Sequence, residues 1–215
     1  MNGRFVTLTS DISVTNGLSV HYSSASDEWD TPPAFMAGVV ARWGPFDLDS
    51  ASDGRNARAP SFHTRHVCSR AVPRDGLWFP WPGRVWCNPP YSELRAWVAK
   101  GAREAWGNPE SRGVVMLIPA RTSTVAWHRW VMRAELVGLV DGRLRFGGAS
   151  NGAPFPSALV VFGTAPSSPR FVALDRRGRA GRHRVECAGC GEAFRAARSD
   201  ARACSARCRV RLSRG

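Results

Sequence analysis

Hydrophobic and polar positions change their period several times between residues 27 and 163. From Pro33 to Trp43, apolar residues recur every three or four positions, which is the period of a helix with one buried face. Pro32 and Pro33 suit the first turn of such a helix, and Gly44 followed by a proline suits its end. The pattern therefore predicts an amphipathic helix early in this region.

Short apolar runs and a second helical pattern follow. Residues 46–49 and 85–87 predict strands, and a small polar loop at 50–54 follows the first of them. Residues 92–106 return to the helical period. Residues 114–118 are apolar without interruption, which is typical of a strand buried on both faces of a parallel sheet. This order predicts strands that alternate with helices.

The end of the same region predicts one more helix and a pair of strands. The helix covers residues 122–136, and the strands cover 143–146 and 158–162, joined by a loop rich in Gly, Pro and Asn. A loop of this kind between two apolar runs indicates an antiparallel hairpin. Strands that alternate with helices and end in a hairpin predict an open α/β sheet.

Length and composition divide the chain into four parts. The 215 residues, 43% of them hydrophobic, suffice for one domain and a small appendage. We predict a flexible lead-in at 1–26, the main domain at 27–163, a basic linker at 164–186 and a basic, cysteine-containing tail at 187–215. No apolar run approaches the roughly 20 residues of a membrane span, and the first residues lack the pattern of a secretory signal. We therefore expect a cytoplasmic protein.

The positive charge of the chain is unevenly placed. The formal net charge is +13, and between Arg170 and Gly215 thirteen arginines stand against four acidic residues, a net +9. Arginine pairs well with phosphate, so this distribution favours a nucleic-acid partner. A basic tail that only improves solubility is the alternative.

Four cysteines in the tail have the spacing of a metal site. Cys187 and Cys190 form a C-x2-C pair, and Cys204 and Cys208 form a C-x3-C pair thirteen residues later. In a cytoplasmic protein such pairs indicate structural zinc rather than disulfides. Because the segment has few apolar residues, we expect it to need the metal in order to fold.

The strand at 85–87 ends in an unusual polar motif, Asn88-Pro89-Pro90-Tyr91. Ligands of open parallel sheets bind just beyond the carboxyl ends of strands. The prolines fix the backbone, and the Asn88 side-chain oxygen and Pro89 carbonyl can both accept hydrogen bonds from one amino group. Tyr91 offers a ring for stacking. An amine held in this way can attack an electrophile through positioning and electrostatics alone. A proline-bent loop that merely caps a strand is the alternative.

Seven sequence blocks follow one another between residues 27 and 163. They are DEWDTP at 27–32, GPFDLD at 44–49, WCNPPY at 86–91, WVAK at 97–100, LIPART at 117–122, GRLRF at 142–146 and PSALVVF at 156–162. In this order the blocks resemble a known family, the compact phage-type DNA N6-adenine methyltransferases, which are Dam-like. The resemblance covers about residues 27–163.

The resemblance implies a fold, a methyl donor and its contacts. The fold is a Rossmann-like sheet of an S-adenosylmethionine-dependent methyltransferase that ends in an antiparallel hairpin, here followed by a zinc-ribbon-like module. By similarity, Asp49 and Ser50 face the donor, Thr31 and Pro32 lie against its methionine part, and Asp75 accepts from its adenine amino group. The chain departs from the family pattern after the first strand, where Ser-Ala-Ser-Asp-Gly replaces a glycine-rich loop.

The resemblance also implies a reaction. The expected enzyme moves a methyl group from S-adenosylmethionine to the N6 amino group of adenine in double-stranded DNA, after the base flips into the pocket at 88–91. A phage or prophage is the expected source of the gene. Two alternatives remain open. One is a same-fold enzyme for cytosine N4 or for a glutamine amide of a protein, although the net charge disfavours a protein substrate. The other is a DNA-binding protein that has lost its donor site.

Overall fold

The computed structural model describes residues 29–64, 75–149, 151–180, 183–196 and 201–213; the lead-in predicted at 1–26 lies outside them. The elements are α1 (Pro33–Trp43), β1 (Leu48–Ser52), β2 (Ser61–Thr64), β3 (Gly83–Cys87), α2 (Leu94–Gly107), β4 (Ser111–Pro119), α3 (Val125–Arg129), β5 (Leu136–Val140), β6 (Ser157–Phe162), β7 (Arg170–Leu174), β8 (His183–Glu186), β9 (Ala193–Ala196) and α4 (Ala206–Ser213), with 3-10 turns at Val131–Arg133 and Phe146–Gly148.

Seven of the strands form one sheet in the order β2-β1-β3-β4-β6-β5-β7. Strand β6 runs antiparallel to both of its neighbours, β4 and β5, and the other neighbouring pairs are parallel. The predicted α/β sheet with an antiparallel pair is therefore confirmed. The partner assigned to that pair was wrong, because residues 143–146 form no strand and β6 pairs with β5 instead.

The first helix and its neighbours follow the sequence pattern. Helix α1 starts after Pro32, has Pro33 in its first turn, and buries Phe35, Met36 and Val39. Helix α2 turns an apolar face to the sheet, and strand β4 is buried continuously from residue 113 to 119. These predictions are confirmed. Apolar residues at the helical period share one face only in a helix, and apolar residues of a strand are buried only when the strand lies in the sheet.

The predicted helix at 122–136 is wrong over most of its length. Helix α3 covers only Val125–Arg129, and Leu136–Val140 is β5. The Thr124 hydroxyl accepts from the Trp127 amide at 3.3 Å and caps a short helix. The apolar residues of β5 then lie between β6 and β7. The apolar spacing of these residues also fits the helical period of the residues before them. Burial in the sheet stabilises the strand more than a helix would.

The strand predicted at 46–49 lies further along the chain than expected. Strand β1 is Leu48–Ser52, so part of the predicted polar loop at 50–54 belongs to the sheet. Ser50 and Ser52 are buried, and the Ser50 hydroxyl donates to the Trp86 carbonyl at 3.3 Å. Small polar side chains with hydrogen-bond partners can be buried at little cost, which the hydrophobic pattern does not reveal.

The predicted linker at 164–186 needs correction, because it contains a strand of the sheet. Strand β7 pairs in parallel with β5 along all five of its residues. A Cβ at Gly138 of β5 would lie 2.4 Å from Cδ1 of Leu174, so the two strands pack without space for a larger residue. The sheet therefore extends to Leu174. After it, β8 and β9 form a separate antiparallel hairpin that α4 follows.

Candidate active site

The loops that follow β1 and β3 meet at one edge of the sheet. The two strands are parallel neighbours, and Asp49 lies beside Trp86 in their register. Residues 88–91 leave β3 at its carboxyl end. Pro89, Pro90 and Tyr91 are buried, and Asn88 is half-buried. The motif is thus a fixed part of the molecule at the edge where open parallel sheets bind ligands.

The side-chain amide of Asn88 is held from both of its ends. Its Nδ2 donates to the carbonyl of Trp29 and to Oγ1 of Thr31, the latter at 3.1 Å. Its Oδ1 accepts from the Tyr91 hydroxyl at 3.0 Å. Because two acceptors occupy the nitrogen, the orientation of the amide is fixed. The oxygen keeps a second lone pair for another donor.

Aromatic rings surround Tyr91. The Trp29 ring is stacked on it, with centroids 6.1 Å apart and planes inclined by 17°. Phe155 and Phe146 meet the Tyr91 ring edge-on, with centroid distances of 5.2 and 6.4 Å. Trp29 also contacts both phenylalanines. The cluster buries Tyr91, and in this structure Trp29 covers the face of its ring.

Asp49 forms the floor of a small polar pocket beside Asn88. Its carboxylate accepts from the Ala51 amide at 3.2 Å and from the Arg58 amide at 2.9 Å. Thr31 and Asn88 line the same pocket. The structure therefore brings together three predicted site residues that come from different segments of the chain.

The residues around this pocket fit a zwitterionic ligand in their chemistry. Asp49 and Asp30 supply carboxylates, and Arg58 supplies a guanidinium, as the amino-acid end of S-adenosylmethionine requires. In this structure the residues of the pocket bind each other. The Arg58 guanidinium donates to the main-chain carbonyl of Thr31 at 3.1 Å, and the Asn56 side-chain amide donates to the Asp30 carboxylate. The cavity of about 10 Å³ has room for no more than about one water. Asn56 and Arg58 must turn outward for a larger ligand to enter.

Ser50, Asp75 and Pro32 lie outside this pocket. The side chain of Ser50 is on the opposite face of β1 from that of Asp49. Gly76 packs closely against the Ser50 carbonyl oxygen, which would lie only 2.0 Å from a Cβ at Gly76. Asp75 forms a bridge with Thr64 at the end of β2, and its carboxylate accepts from the Leu77 amide at 2.8 Å. Pro32 lines a separate cleft. Their predicted contacts with the donor stay predictions.

Four residues that shape the site were not assigned a role from sequence. Trp29 and Asp30 belong to the DEWDTP block, so the motif marked their segment but not their contacts. Residues 29–31 bind the loops after both β1 and β3. Asn56 and Arg58 lie in an irregular loop whose composition gives no signal, and only the fold brings them to Asp49.

The cysteines of the tail converge on one point. Within the described residues, the sulfurs of Cys187, Cys190, Cys204 and Cys208 all lie within 4.8 Å of one another. Two of the separations are 3.7 and 3.6 Å. Four sulfurs bound to one zinc at about 2.3 Å lie about 3.8 Å apart in a tetrahedron. The geometry of the cluster therefore fits a zinc ion.

Hydrogen bonds and neighbouring sulfurs shift the pKa values of the thiols in opposite directions. The Cys204 amide donates to Sγ of Cys187 at 3.3 Å and lowers the pKa of Cys187 to about 6. The amide of Glu192 favours the Cys190 thiolate, but the sulfurs of Cys187 and Cys204 outweigh it and raise the pKa of Cys190 to about 12. Metal binding requires deprotonated thiols, and a divalent cation among these sulfurs would offset the repulsion that raises the pKa of Cys190.

Comparison with known proteins identifies the family. The fold is that of a mixed α/β protein whose Asn-Pro-Pro-Tyr motif lies at the end of a strand. The family model described as DNA N-6-adenine-methyltransferase (Dam) matches residues 19–167, so the chain belongs to this family. It is also similar to a DNA N-6-adenine-methyltransferase of Escherichia phage T1, with 33% identity over 102 residues, or 47% of this chain. The match spans 39% of the phage protein's length.

Among the described residues, no helix is long and apolar enough to cross a bilayer.

Proposed function

We propose that the protein methylates the N6 amino group of adenine in double-stranded DNA, with S-adenosylmethionine as donor. Membership of the family supports the reaction class. The observation that carries the proposal is the fixed Asn88 amide. Its nitrogen is bound to residues 29–31, so its oxygen is the end available to the amino group of a target base.

Two oxygens of the motif hold the target amine in this proposal. Oδ1 of Asn88 and the carbonyl of Pro89 each accept one of its hydrogens. Their pull moves the nitrogen toward tetrahedral geometry and makes its lone pair available. S-adenosylmethionine supplies an electrophilic methyl group when bound. The N–C bond would form as the bond from the methyl carbon to sulfur breaks, the neutral thioether would leave, and the methylated nitrogen would then lose its extra proton to water. No acid or base is required for the attack, since positioning and the two dipoles supply the catalytic effect.

The target base must leave the duplex to reach this site. Tyr91 provides the stacking surface for the base, and its hydroxyl keeps Oδ1 of Asn88 in place at 3.0 Å. Trp29 covers that ring face in this structure. A base therefore gains the Tyr91 face only when Trp29 moves aside, and Phe155 then contacts the edge of the stack.

The donor lies at Asp49 in this account. Asp49 is buried and lines the same pocket as Asn88, and residues 29–31 contact the loops that follow both β1 and β3. Asp49 and Asn88 line the same pocket, so a donor held by Asp49 and an amine held by Asn88 would share it. Asn56 and Arg58 must release Asp30 and Thr31 to admit it.

The tail has a separate role in the proposal. The four cysteines hold one zinc ion, and the arginines around them bind phosphates of DNA. Residues 187–215 have seven arginines and two acidic residues, a net +5, and four thiolates with a divalent zinc add −2, so the tail stays basic at +3. The convergence of the sulfurs supports the metal, and the charge supports the partner.

Replacement of Asn88 by alanine tests the catalytic role. Loss of a transition-state acceptor lowers turnover by about 100-fold or more, so we expect this loss while donor affinity and thermal unfolding change little. Asn108→Ala is the matched control, because Asn108 caps α2 at the far end of the helix. Single-turnover methyl transfer to an adenine-containing duplex gives the rate. Near-normal turnover by folded Asn88→Ala protein would remove the proposed mechanism.

A further inference from the structure

Four arginines converge on a cleft beside the candidate active site. Arg143 and Arg145 come from the loop after β5, and Arg176 and Arg177 come from the turn after β7. Pro32 and Leu144 form part of an apolar floor. The cleft holds about 350 Å³, at the lower end of the roughly 300–1,000 Å³ of ligand pockets.

The two segments that carry the arginines are well anchored. A Cβ at Gly38 of α1 would lie 1.9 Å from the carbonyl oxygen of Arg177, so the turn rests directly on the helix. Leu144 is buried, and its carbonyl accepts from the Ala153 amide at 2.8 Å. The cleft is therefore a built feature of the fold and not a chance meeting of loose side chains.

Among the described residues, no ion pair joins a carboxylate to the four arginines of the cleft, although the exposed Asp141 lies two residues before Arg143 and its amide donates to the Leu174 carbonyl at 2.8 Å. Asp175 is nearest in sequence to the turn, but its carboxylate is taken by Arg179, with an ion pair of 2.8 Å. The other ion pairs of the described chain join Lys100 to Glu104 and Arg112 to Asp47. Four guanidinium groups around one cleft repel each other, and an anion with several oxygens removes that repulsion.

The cleft is separate from the candidate active site, but two chain segments border both. Arg145 immediately precedes Phe146, whose ring contacts Trp29 and Tyr91. Pro32 immediately follows Thr31, which lines the pocket around Asp49. An anion in the cleft therefore contacts segments that also form the candidate active site.

We infer that this cleft, formed by Arg143, Arg145, Arg176 and Arg177, binds the phosphodiester backbone of the DNA strand that carries the target adenine. The guanidinium groups bind the phosphate oxygens, and the apolar floor contacts the sugars. The inference rests on the proposed function, and it places DNA contacts in the sheet domain in addition to the arginines of the tail. It assigns these residues to positioning the strand and gives them no part in the methyl transfer itself.

Salt-dependent DNA binding of the full-length protein tests the inference. The variants are Arg143→Gln/Arg145→Gln and Arg176→Gln/Arg177→Gln. The control, Arg84→Gln/Arg112→Gln, removes two charges at the starts of β3 and β4, the opposite edge of the sheet. Fluorescence anisotropy with an adenine-containing duplex gives affinity against salt. Each phosphate contact contributes about 0.9 to the slope, so we expect each cleft variant to lower it by about 1.8 and the control to leave it unchanged.

Other readouts separate this inference from the proposed function. Replacement by lysine should preserve most of the slope while weakening binding, because the charge remains and the bidentate geometry is lost. Equal slopes for cleft variants, control and native protein would overturn the inference even if the protein methylates adenine. If the protein methylates no base but its cleft variants show lowered salt slopes, the inference that the cleft binds DNA is supported and the proposed function is rejected. No binding of the duplex by the native protein would reject both.

Discussion

The sheet domain and the cysteine-containing module are stabilised in different ways. The sheet domain buries large side chains completely, among them Trp81, Trp86 and Trp97. In the module, the described residues of α4 include none that is buried, while four sulfurs meet at one point. Apolar burial can stabilise the first region alone. The second has too little of it, so we expect it to need a cation in order to fold.

This difference indicates that the two regions have separate roles. The candidate catalytic residues, the donor pocket and the arginine cleft all belong to the sheet domain. The module adds positive charge and a proposed metal ion but no residue of the candidate active site. Changes to the module should therefore alter folding and DNA binding of that module and spare the chemistry.

The largest expected effect is on the module itself. Cys204→Ser should abolish zinc binding and unfold residues 187–208, since structural zinc contributes about 10–16 kcal/mol to small metal-dependent folds. Hydrogen exchange should show lost protection there and unchanged protection in β3 and β4. Ser213→Ala in α4 is the control and should retain one zinc per chain. Full protection of the module in metal-free, reduced Cys204→Ser protein would contradict the metal-dependent account.

The next effect concerns the donor. Asp49→Ala should weaken S-adenosylmethionine binding by roughly 10- to 100-fold, the value of one or two charge-assisted hydrogen bonds, while DNA affinity changes little. Calorimetry with the donor alone measures it. Asp75→Ala is the informative comparison, because Asp75 lies outside the pocket. A large loss only at Asp75 would move the donor site to the end of β2.

Removal of the tail should affect DNA binding and leave the donor site unchanged. The truncation belongs after Ala180, because a cut at Gly163 would delete β7 from the sheet. The deleted part has nine arginines and three acidic residues, a net +6. If the tail makes at least two phosphate contacts, the salt slope of DNA binding falls by about 1.8 or more. An unchanged slope in a folded, donor-binding truncation would assign the tail to another partner.

The smallest effects are expected at Tyr91, where stacking and a hydroxyl can be separated. Tyr91→Ala should weaken binding of the flipped base by roughly 1–3 kcal/mol. Tyr91→Phe keeps the ring and loses only the 3.0 Å hydrogen bond to Asn88, so its effect on turnover should be mild. Equal damage from both changes would show that the hydroxyl, and not stacking, is the important group. A duplex with an unpaired fluorescent adenine analogue reports the stacking directly.

The parts of the molecule that depend on local sequence were predictable. Helix α1, strand β4 and the motif at 88–91 each carry their signal within a few consecutive residues: proline position, unbroken apolarity, or an amide before two prolines. The same holds for the cysteine pairs, whose spacing alone indicated the cluster. In these places, local preference and tertiary environment agree.

The parts that depend on distant contacts were not predictable. Strand β5 resembles the end of a helix until β6 and β7 are known to flank it. Strand β7 lies in a segment that composition assigns to a linker. Asn56 and Arg58 reach Asp30 and Thr31 only because the loop after β1 folds back over its own strand. None of these contacts produces a periodic pattern of apolar residues in the sequence.

The central claim is that this chain transfers a methyl group to N6 of adenine. Its most direct test is incubation of the full-length protein with isotope-labelled S-adenosylmethionine and unmethylated duplex DNA, followed by digestion to nucleosides and mass spectrometry. The account predicts label in N6-methyladenine from the native protein and from Asn108→Ala, and none above background from Asn88→Ala. Label in N4-methylcytosine, or no labelled nucleoside from protein that binds both donor and DNA, would contradict it.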